Sequence, residues 1–293
     1  MTSLKPQILR FTFVILLVCN NHYFVHAENL KILNYNIYKG MSLDKSENKS
    51  GFVTWIDSIS PEIVSLQEVN GFTQATLEKT ARDYGHPYAV LLKEEGYPVA
   101  LTSKFPIVNV RKVIDNMHHG FIQAQILDFN IIVLHLSPHK YWKRNEEVDL
   151  ILSTIKNTNP RGKWIIMGDF NTYSPLDALH YQDGLLQERI KTLEEKYKSH
   201  ENLKENKIDY SVIQKVMDYG FLDAFKFKNA TYVSTVPTFS LEHTNLNNKA
   251  TMRIDYIFIS KKMKKDIVSC SIIKDNFTHH NSDHYPVLME LKR

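Results

Sequence analysis

Carboxylates, carboxamides and imidazoles stand at the ends of several apolar runs in this 293-residue chain. Such side chains can activate water, hold a hard cation and move a proton. The clearest case is Trp164-Ile165-Ile166-Met167-Gly168-Asp169-Phe170-Asn171. Its four leading apolar residues suit a strand covered on both faces. Gly168 permits a tight exit. Asp169 and Asn171, two apart, point the same way in an extended chain, so an acceptor and a donor share one rim. A strand followed by an Asx-rich turn accounts for these four residues equally well, so their partners decide.

The same theme recurs. Leu30 to Asn36 reads as a first strand ending in Asn34-Tyr35-Asn36, which makes Asn36 a candidate ligand. Glu62 to Leu66 is a second apolar strand that runs into Gln67-Glu68. Ile131 to Leu136 places His135 after four aliphatic residues. A lone strand-end histidine is commonly a hydrogen-bonded core residue, but imidazole is also the side chain best suited to proton transfer near neutral pH. Arg253 to Ile259 carries Asp255 inside an apolar alternation, where an unpaired carboxylate is costly, so something must bind or pair it. Asn281-Ser282-Asp283-His284 sets an acid and an imidazole side by side before the last strand.

The elements that position these residues are legible in outline. Helical spacing runs from Phe52 to Ile59, with Phe52, Trp55, Ile56 and Ile59 on one face and Pro61 as its stop. Phe72 to Tyr84 reads as a second helix. Runs at Tyr88–Leu92, Val99–Thr102, Ile107–Val113 and Phe121–Leu127 predict an antiparallel meander with turns at Gly96 and Pro106. Arg144 to Thr154 continues as an amphipathic helix with Val148, Ile151, Leu152 and Ile155 inward. The segment before it, His139 to Arg144, interleaves cations with aromatics, which fits either phosphate or base contact or the exposed start of that helix. Leu185 to Lys198 and Tyr210 to Tyr219 predict a charged helical insertion near 175–220. Lys261 to Lys265 reads as a solvated hairpin loop.

Composition narrows the setting. With 43% hydrophobic residues the chain can bury one large core. Residues 1–27 have the form of a secretory signal: Lys5 and Arg10, an apolar run from Phe11 to Cys19 too short to span a bilayer, and Val25-His26-Ala27 before Glu28. The expectation is a secreted catalytic domain over 28–293, a monomer with no membrane insertion after cleavage. Its net charge falls from +4 to +2 as Lys5 and Arg10 leave, a balance that neither requires nor excludes nucleic acid. Cys270 then stands alone, so no internal disulfide can brace the fold. Asn48, Asn229 and Asn276 head glycosylation sequons.

Taken in order, Asn36, Gln67-Glu68, His135, Gly168-Asp169-Phe170-Asn171, Arg253-Ile254-Asp255-Tyr256 and Ser282-Asp283-His284 resemble the endonuclease/exonuclease/phosphatase superfamily, which includes pancreatic-type deoxyribonucleases, abasic-site endonucleases and neutral sphingomyelinases. The resemblance implies an α/β fold, a four-layer α/β/β/α sandwich of two packed mixed β-sheets flanked by helices, with the site at one edge of the sheets. It also implies that His284 is the catalytic imidazole oriented by Asp255, that Asp169 aligns or deprotonates water, and that Asn171 and His135 contact the phosphate. Phosphodiester hydrolysis needs an activated water, a cation on the phosphoryl oxygens and donors on the developing charge. Glu68, Asp283 and the amide of Asn36 form an oxygen-only ligand set that suits Mg²⁺ or Mn²⁺, and no Cys and His cluster points to zinc. His119, Lys140 and Arg144 are the candidate substrate contacts. His118-His119 stands where many nucleases of the group carry Arg or Tyr, the paired cysteines of secreted deoxyribonucleases are missing, and either Glu94 or Glu95 could orient His135. A secreted nuclease is the first expectation. A phosphodiesterase acting on a lipid or a small molecule is the second, and a silent binding protein of the same fold is the third.

Overall fold

The computed structural model describes residues 29–239 and 250–293. The leader-like segment and its expected cleavage point lie outside the described residues. Strand β1 (Leu30–Asn36) pairs in parallel with β2 (Ile63–Gln67) and antiparallel with β14 (Val287–Leu291). With β3 (Tyr88–Leu91), β4 (Ala100–Ser103) and β13 (Ile267–Ile272) they form a six-stranded sheet in the order β13-β14-β1-β2-β4-β3. The second sheet is built from β5 (Ile107–Val113), β6 (Gly120–Ile126), β7 (Phe129–His135), β8 (Lys163–Asp169), β11 (Phe221–Asp223) and β12 (Asp255–Ser260), in the order β11-β12-β8-β7-β6-β5.

Period-two alternation divides each strand between two faces. Leu30, Ile32 and Ile63 of the first sheet meet Ile131, Val133, Ile165, Met167, Ile257 and Ile259 of the second in one apolar core between the sheets. The opposite face of the first sheet is covered by α2 (Ser50–Ile59), through Phe52, Trp55 and Ile56, and by α3 (Gln74–Asp83), through Leu77 and Ala81. That of the second is covered by α4 (Tyr141–Thr158) and α6 (Ser211–Tyr219). The result is the four-layer sandwich that the resemblance implies. The remaining helices, α1 (Tyr38–Met41), α5 (Leu185–Lys196), α7 (Ala224–Lys228) and α8 (Asn276–Asn281), are short or peripheral. No described helix is long and apolar enough to cross a membrane.

Two features differ from the sequence reading. The expected meander is split: β3 and β4 pair in the first sheet, whereas β5 and β6 pair in the second. The chain changes sheets at Lys104-Phe105-Pro106, where proline removes a ladder donor. A strand's alternation records that one face is buried, not which sheet it joins. The 175–220 region is likewise not one unit. Val212, Ile213 and Val216 of α6 belong to the outer core of the second sheet, while α5 packs Leu186 and Ile190 with Leu203 and Ile254 in a satellite cluster. Leu203 comes from a small hairpin of β9 (Leu203–Lys204) and β10 (Lys207–Ile208).

Away from the sheet ends, His86 ties three elements together. It is 1% exposed, with Nδ1 2.8 Å from Thr102 Oγ1 and Nε2 2.8 Å from the Pro61 carbonyl. Burial lowers its pKa to about 4. Between pH 6.5 and 4 the unfolded chain therefore binds a proton that the folded chain does not, so stability falls as pH drops through this window and levels off below it. The linked loss is at most about 3 kcal/mol. Unfolding titrations of His86→Gln should show a flatter dependence between pH 6.5 and 4 than the parent; parallel curves would remove His86 as the cause.

Candidate active site

Register brings the candidate residues together. On the second sheet His135 of β7 stands opposite Asp169 of β8, and Asp169 stands opposite Asp255 of β12. All three side chains share the parity of Ile131, Ile165 and Ile257, so they occupy the inter-sheet face. On the first sheet Asn36 and Asn34 share the parity of Ile32, and Ser65 and Gln67 that of Ile63. The core between the sheets is thus apolar along most of its length and polar at one end. Asn34 Oδ1 accepts from Ser65 Oγ at 2.9 Å and Gln67 Nε2 at 3.0 Å, completing this polar layer.

Gly168 is required here. Its φ is 154°, and a Cβ would collide with the Leu134 carbonyl on β7. Residues at the strand exits adopt the left-handed conformation, Glu68 at φ 57° and Asn171 at φ 50°. Such backbone is held only where the surroundings over-determine it. The Lys39 N–H donates to Glu68 Oε2 at 3.0 Å, the Asn171 N–H donates to Asp169 Oδ1 at 2.8 Å, and Asn171 Nδ2 donates to the Leu136 carbonyl at 3.0 Å.

His284 arrives from the loop before β14. Its Nδ1 is 2.8 Å from Asp255 Oδ2, and its Nε2 lies 3.8 Å from Asp169 Oδ2 and 3.9 Å from Asp283 Oδ1. Ser282 fixes this loop: its Oγ donates to the Asn36 carbonyl at 2.7 Å and accepts the His284 N–H at 3.1 Å. Asn36 Nδ2 bridges Asp169 Oδ2 at 3.1 Å and Glu68 Oε1 at 3.4 Å. His135 Nε2 is 3.5 Å from Asp169 Oδ2, while its Nδ1 has no hydrogen-bond partner among the described residues.

Charge dominates the chemistry of this cluster. Burial pulls the His284 pKa down, but Asp255, Asp283 and Asp169 outweigh it and hold the imidazole well above its ordinary value. Burial raises the Asp169 carboxyl, and the charge of Asp255 adds to the effect against His284 and the Asn171 N–H. Glu68 is raised by burial and then by Asp283; Asp283 is raised chiefly by burial. Four carboxylates around one imidazolium leave excess negative charge, and oxygen donors in that state fit a hard divalent cation. Among the described residues, ligand atoms of Asp169, Asp255 and His284 lie within 4.8 Å of one another. Asp255 and His284 are already hydrogen-bonded to each other, so Glu68 and Asp283 are the freer donors.

A cavity of about 370 Å³ opens over the cluster. Glu68, Asp169, Asn171, Asp283, His135 and His284 all line it, as does His119, which stacks on His135 with ring centroids 4.2 Å apart. Asn36 and Asp255 lie behind these residues. Other candidates are placed differently. Arg144 is not a substrate cation: it is 1% exposed, on the second turn of α4, with its guanidinium donating to Ser137 O at 3.0 Å and Asn202 Oδ1 at 2.7 Å. Most of the segment read as a basic loop is the first turn of α4, and burial of one face followed from that. Lys140 caps this helix and lies over the Trp142 ring at 4.9 Å, on the rim rather than in the cavity. Glu94 and Glu95 are exposed and neither touches His135. The sequence reading overlooked Tyr38, Lys39 and Tyr97, which line the cavity, and Glu147, whose carboxylate holds the neighbouring loops. Glu147 carried a signal, since an acid at four-residue spacing from Ile151 and Ile155 sits on an apolar stripe.

Comparisons with known proteins place this architecture among phosphoesterases. The profile of the Endonuclease/Exonuclease/phosphatase family matches residues 33–284, and the chain belongs to that family. No curated protein matches significantly. Similar solved structures include an AP endonuclease from Archaeoglobus fulgidus, at TM-score 0.67 and 18% identity. A 3′ phosphatase from Neisseria bound to a product DNA hairpin gives 0.64 and 17%, and a 3′-5′ exonuclease from Neisseria meningitidis gives 0.64 and 18%. Each comparison covers 90% of this chain and 100% of the other. At these identities the likeness establishes the fold.

The close approach at Gly168 yields a direct test. Gly168→Ala should destabilise the protein by at least about 2 kcal/mol and displace Asp169. An unchanged melting temperature together with full activity would contradict the packing described.

Proposed function

We propose that the protein is a secreted, Mg²⁺-dependent hydrolase that cleaves phosphodiester bonds of nucleic acid. The observation that carries the reading is the hydrogen-bonded Asp255–His284 pair facing Asp169 at the floor of a cavity that also holds Glu68 and Asp283. Glu68 and Asp283 would hold the cation, which would neutralise phosphoryl oxygens and so favour attack by water. Asn36, a candidate ligand by sequence, instead steadies Glu68 and Asp169 through Nδ2 while its Oδ1 accepts the Tyr38 N–H at 3.2 Å. Asp169 Oδ2 accepts the proton of the attacking water, a role suited to a carboxyl whose proton affinity burial has raised. His284 donates from Nε2 to a phosphoryl oxygen, and Asp255 stabilises the imidazolium and fixes its orientation. The water oxygen bonds to phosphorus, the bond from phosphorus to the leaving oxygen breaks, and that oxygen takes a proton from solvent water while Asp169 returns to solvent the proton it accepted. His135 is kept neutral by burial and by His119, so it offers the phosphate a hydrogen bond rather than a charge.

Nucleic acid is favoured as substrate by the DNA hairpin bound to the similar Neisseria phosphatase and by the activities named for the other two similar structures. A lipid phosphodiester is the second reading, because Leu176 and Leu179 in the segment after Asn171 are 50% and 79% exposed. Assays with DNA, RNA and sphingomyelin vesicles, in Mg²⁺ and in EDTA, decide between them.

His284→Ala should lower turnover on the preferred substrate by about two to four orders of magnitude with folding intact. Asp255→Asn should impair turnover too, and near-normal rates in either variant would refute the assignment. Glu68→Gln should raise the Mg²⁺ concentration for half-maximal activity by about tenfold or more; full activity of the parent in EDTA would exclude the metal. Secretion is tested by N-terminal sequencing of protein from a secretory host, with Glu28 expected first and an intact Met1 in the medium refuting cleavage.

A further inference from the structure

Of the five histidines that line the cavity, the reaction above uses His284 and His135 as working groups, with His119 stacked on His135. His118 and His139 line it as well and have no part in that chemistry. His118 packs edge-on against His119 and His139, at centroid distances of 4.4 Å and 5.3 Å. His139 continues the row to His200, with Nδ1 and Nε2 3.2 Å apart. His200 is brought there by a strap: Glu201 N donates to His139 O at 2.7 Å and Tyr141 N donates to Glu201 O at 2.8 Å.

The charges that act most on His118, His119 and His139 are of one sign. Lys93 and Lys143 act on His118, Lys93 on His119, and Lys140 and Arg144 on His139. The acids nearby are engaged elsewhere. Glu147 takes the N–H groups of His118 at 2.5 Å and Ser137 at 2.8 Å, Glu201 takes the Trp142 indole at 2.8 Å, and Glu146 pairs with Lys143 at 3.2 Å. Helix α4 begins beside the row with no acid in its first turn, which adds partial positive charge. Burial first, then these cations and the neighbouring rings, lower the proton affinity of His118, His119 and His139. The wall therefore has donors and positive potential but, among the described residues, no facing carboxylate, the inverse of the acidic floor.

We propose that His118 and His139, with His200 backing His139, form a second anion subsite of the cavity, which holds a phosphate group next to the one cleaved. The inference rests on the phosphodiesterase reading and narrows it to oligonucleotides whose flanking phosphate contributes to recognition. An arriving phosphate stabilises the protonated imidazoles, so occupancy and proton uptake are linked.

The test compares a dinucleotide with one internal phosphodiester against its 5′-phosphorylated and 3′-phosphorylated forms. One phosphorylated form should be cleaved with kcat/KM at least about tenfold higher by the parent, and a His118→Gln, His139→Gln double variant should reduce that preference to less than about twofold. No preference in the parent, or an undiminished one in a folded double variant, overturns the proposal. NMR titration of the parent full chain with inorganic phosphate is independent of turnover and of the variant's folding. The ring C–H signals of His118, His139 and His200 should shift, and the pH midpoints of His118 and His139 should rise. If phosphate moves none of the three, the subsite is refuted whatever the activity; if it moves them while no dinucleotide is cleaved, the subsite stands and the phosphodiesterase reading fails.

Discussion

The pairing register of β7, β8 and β12 is the constraint on which the site depends. His135, Asp169 and Asp255 lie directly across from one another only because these three strands align as they do. A slip of one residue would move Asp169 to the helix-covered face and bring Gly168 or Phe170 inward. Apolar packing enforces the alignment, since Ile131, Val133, Ile165, Met167, Ile257 and Ile259 would be displaced from the inter-sheet core by the same slip. Glycine at 168 then lets β8 run so close to β7 that no side chain fits between them. The catalytic geometry is thereby tied to the burial of the entire inter-sheet face, and its rigidity comes from the same source as the stability of the fold.

The handling of buried charge separates scaffold from site. Two residues before Asp255, Arg253 is buried against two acids, its Nη2 2.6 Å from Asp177 Oδ2 and 2.8 Å from Asp223 Oδ2. With Lys226 Nζ 3.2 Å from Asp177 Oδ1, two cations balance the two acids, and the group joins the segment after β8 to β11 and β12. At the cavity, no Lys or Arg forms an ion pair with Glu68, Asp169, Asp255 or Asp283 among the described residues. Leaving several carboxylates under-compensated costs free energy, a cost that a bound cation would offset. A chain able to neutralise Asp177 and Asp223 internally, yet leaving its neighbours uncompensated, has a local electrostatic requirement that ligands fill.

Much of this was legible from strand ends. Apolar runs terminating in Asn36, Glu68, His135 and Asp169 put chemistry at one edge of a sheet, and the four-layer architecture came with the resemblance those residues carry. What failed was long-range. The alternation in β3 to β6 marks four half-buried strands but holds no record of the sheet each one joins, which depends on a crossing at Lys104–Pro106. Arg144 looked like a surface cation because a basic, aromatic hexapeptide resembles a binding loop; three-residue spacing from Glu147, which is itself on the apolar stripe of α4, was the overlooked sign that it turns inward. The histidine row was invisible for another reason. Its members come from three separated segments, at 118, 139 and 200, and only the fold makes them neighbours.

Arg144 and Glu147 also explain why the cavity wall is a fixed surface rather than a mobile clamp. From one buried helix face, Arg144 donates to Ser137 O while Glu147 accepts Ser137 N–H and His118 N–H. The chain leaving β7 and the chain entering β6 are thus held by a single turn of α4, and the strap at 200–202 adds Asn202, whose Nδ2 donates to Pro138 O at 3.1 Å and whose Oδ1 accepts from Arg144. Burying the cation that the sequence offered to substrate removes one charge from the rim. In exchange it immobilises the imidazoles beside the scissile position, and donors held in place before substrate arrives lose little entropy on binding. Under the proposed reading, selectivity would be built into the cavity wall and reach only as far as the groups that α4 and the strap hold against it.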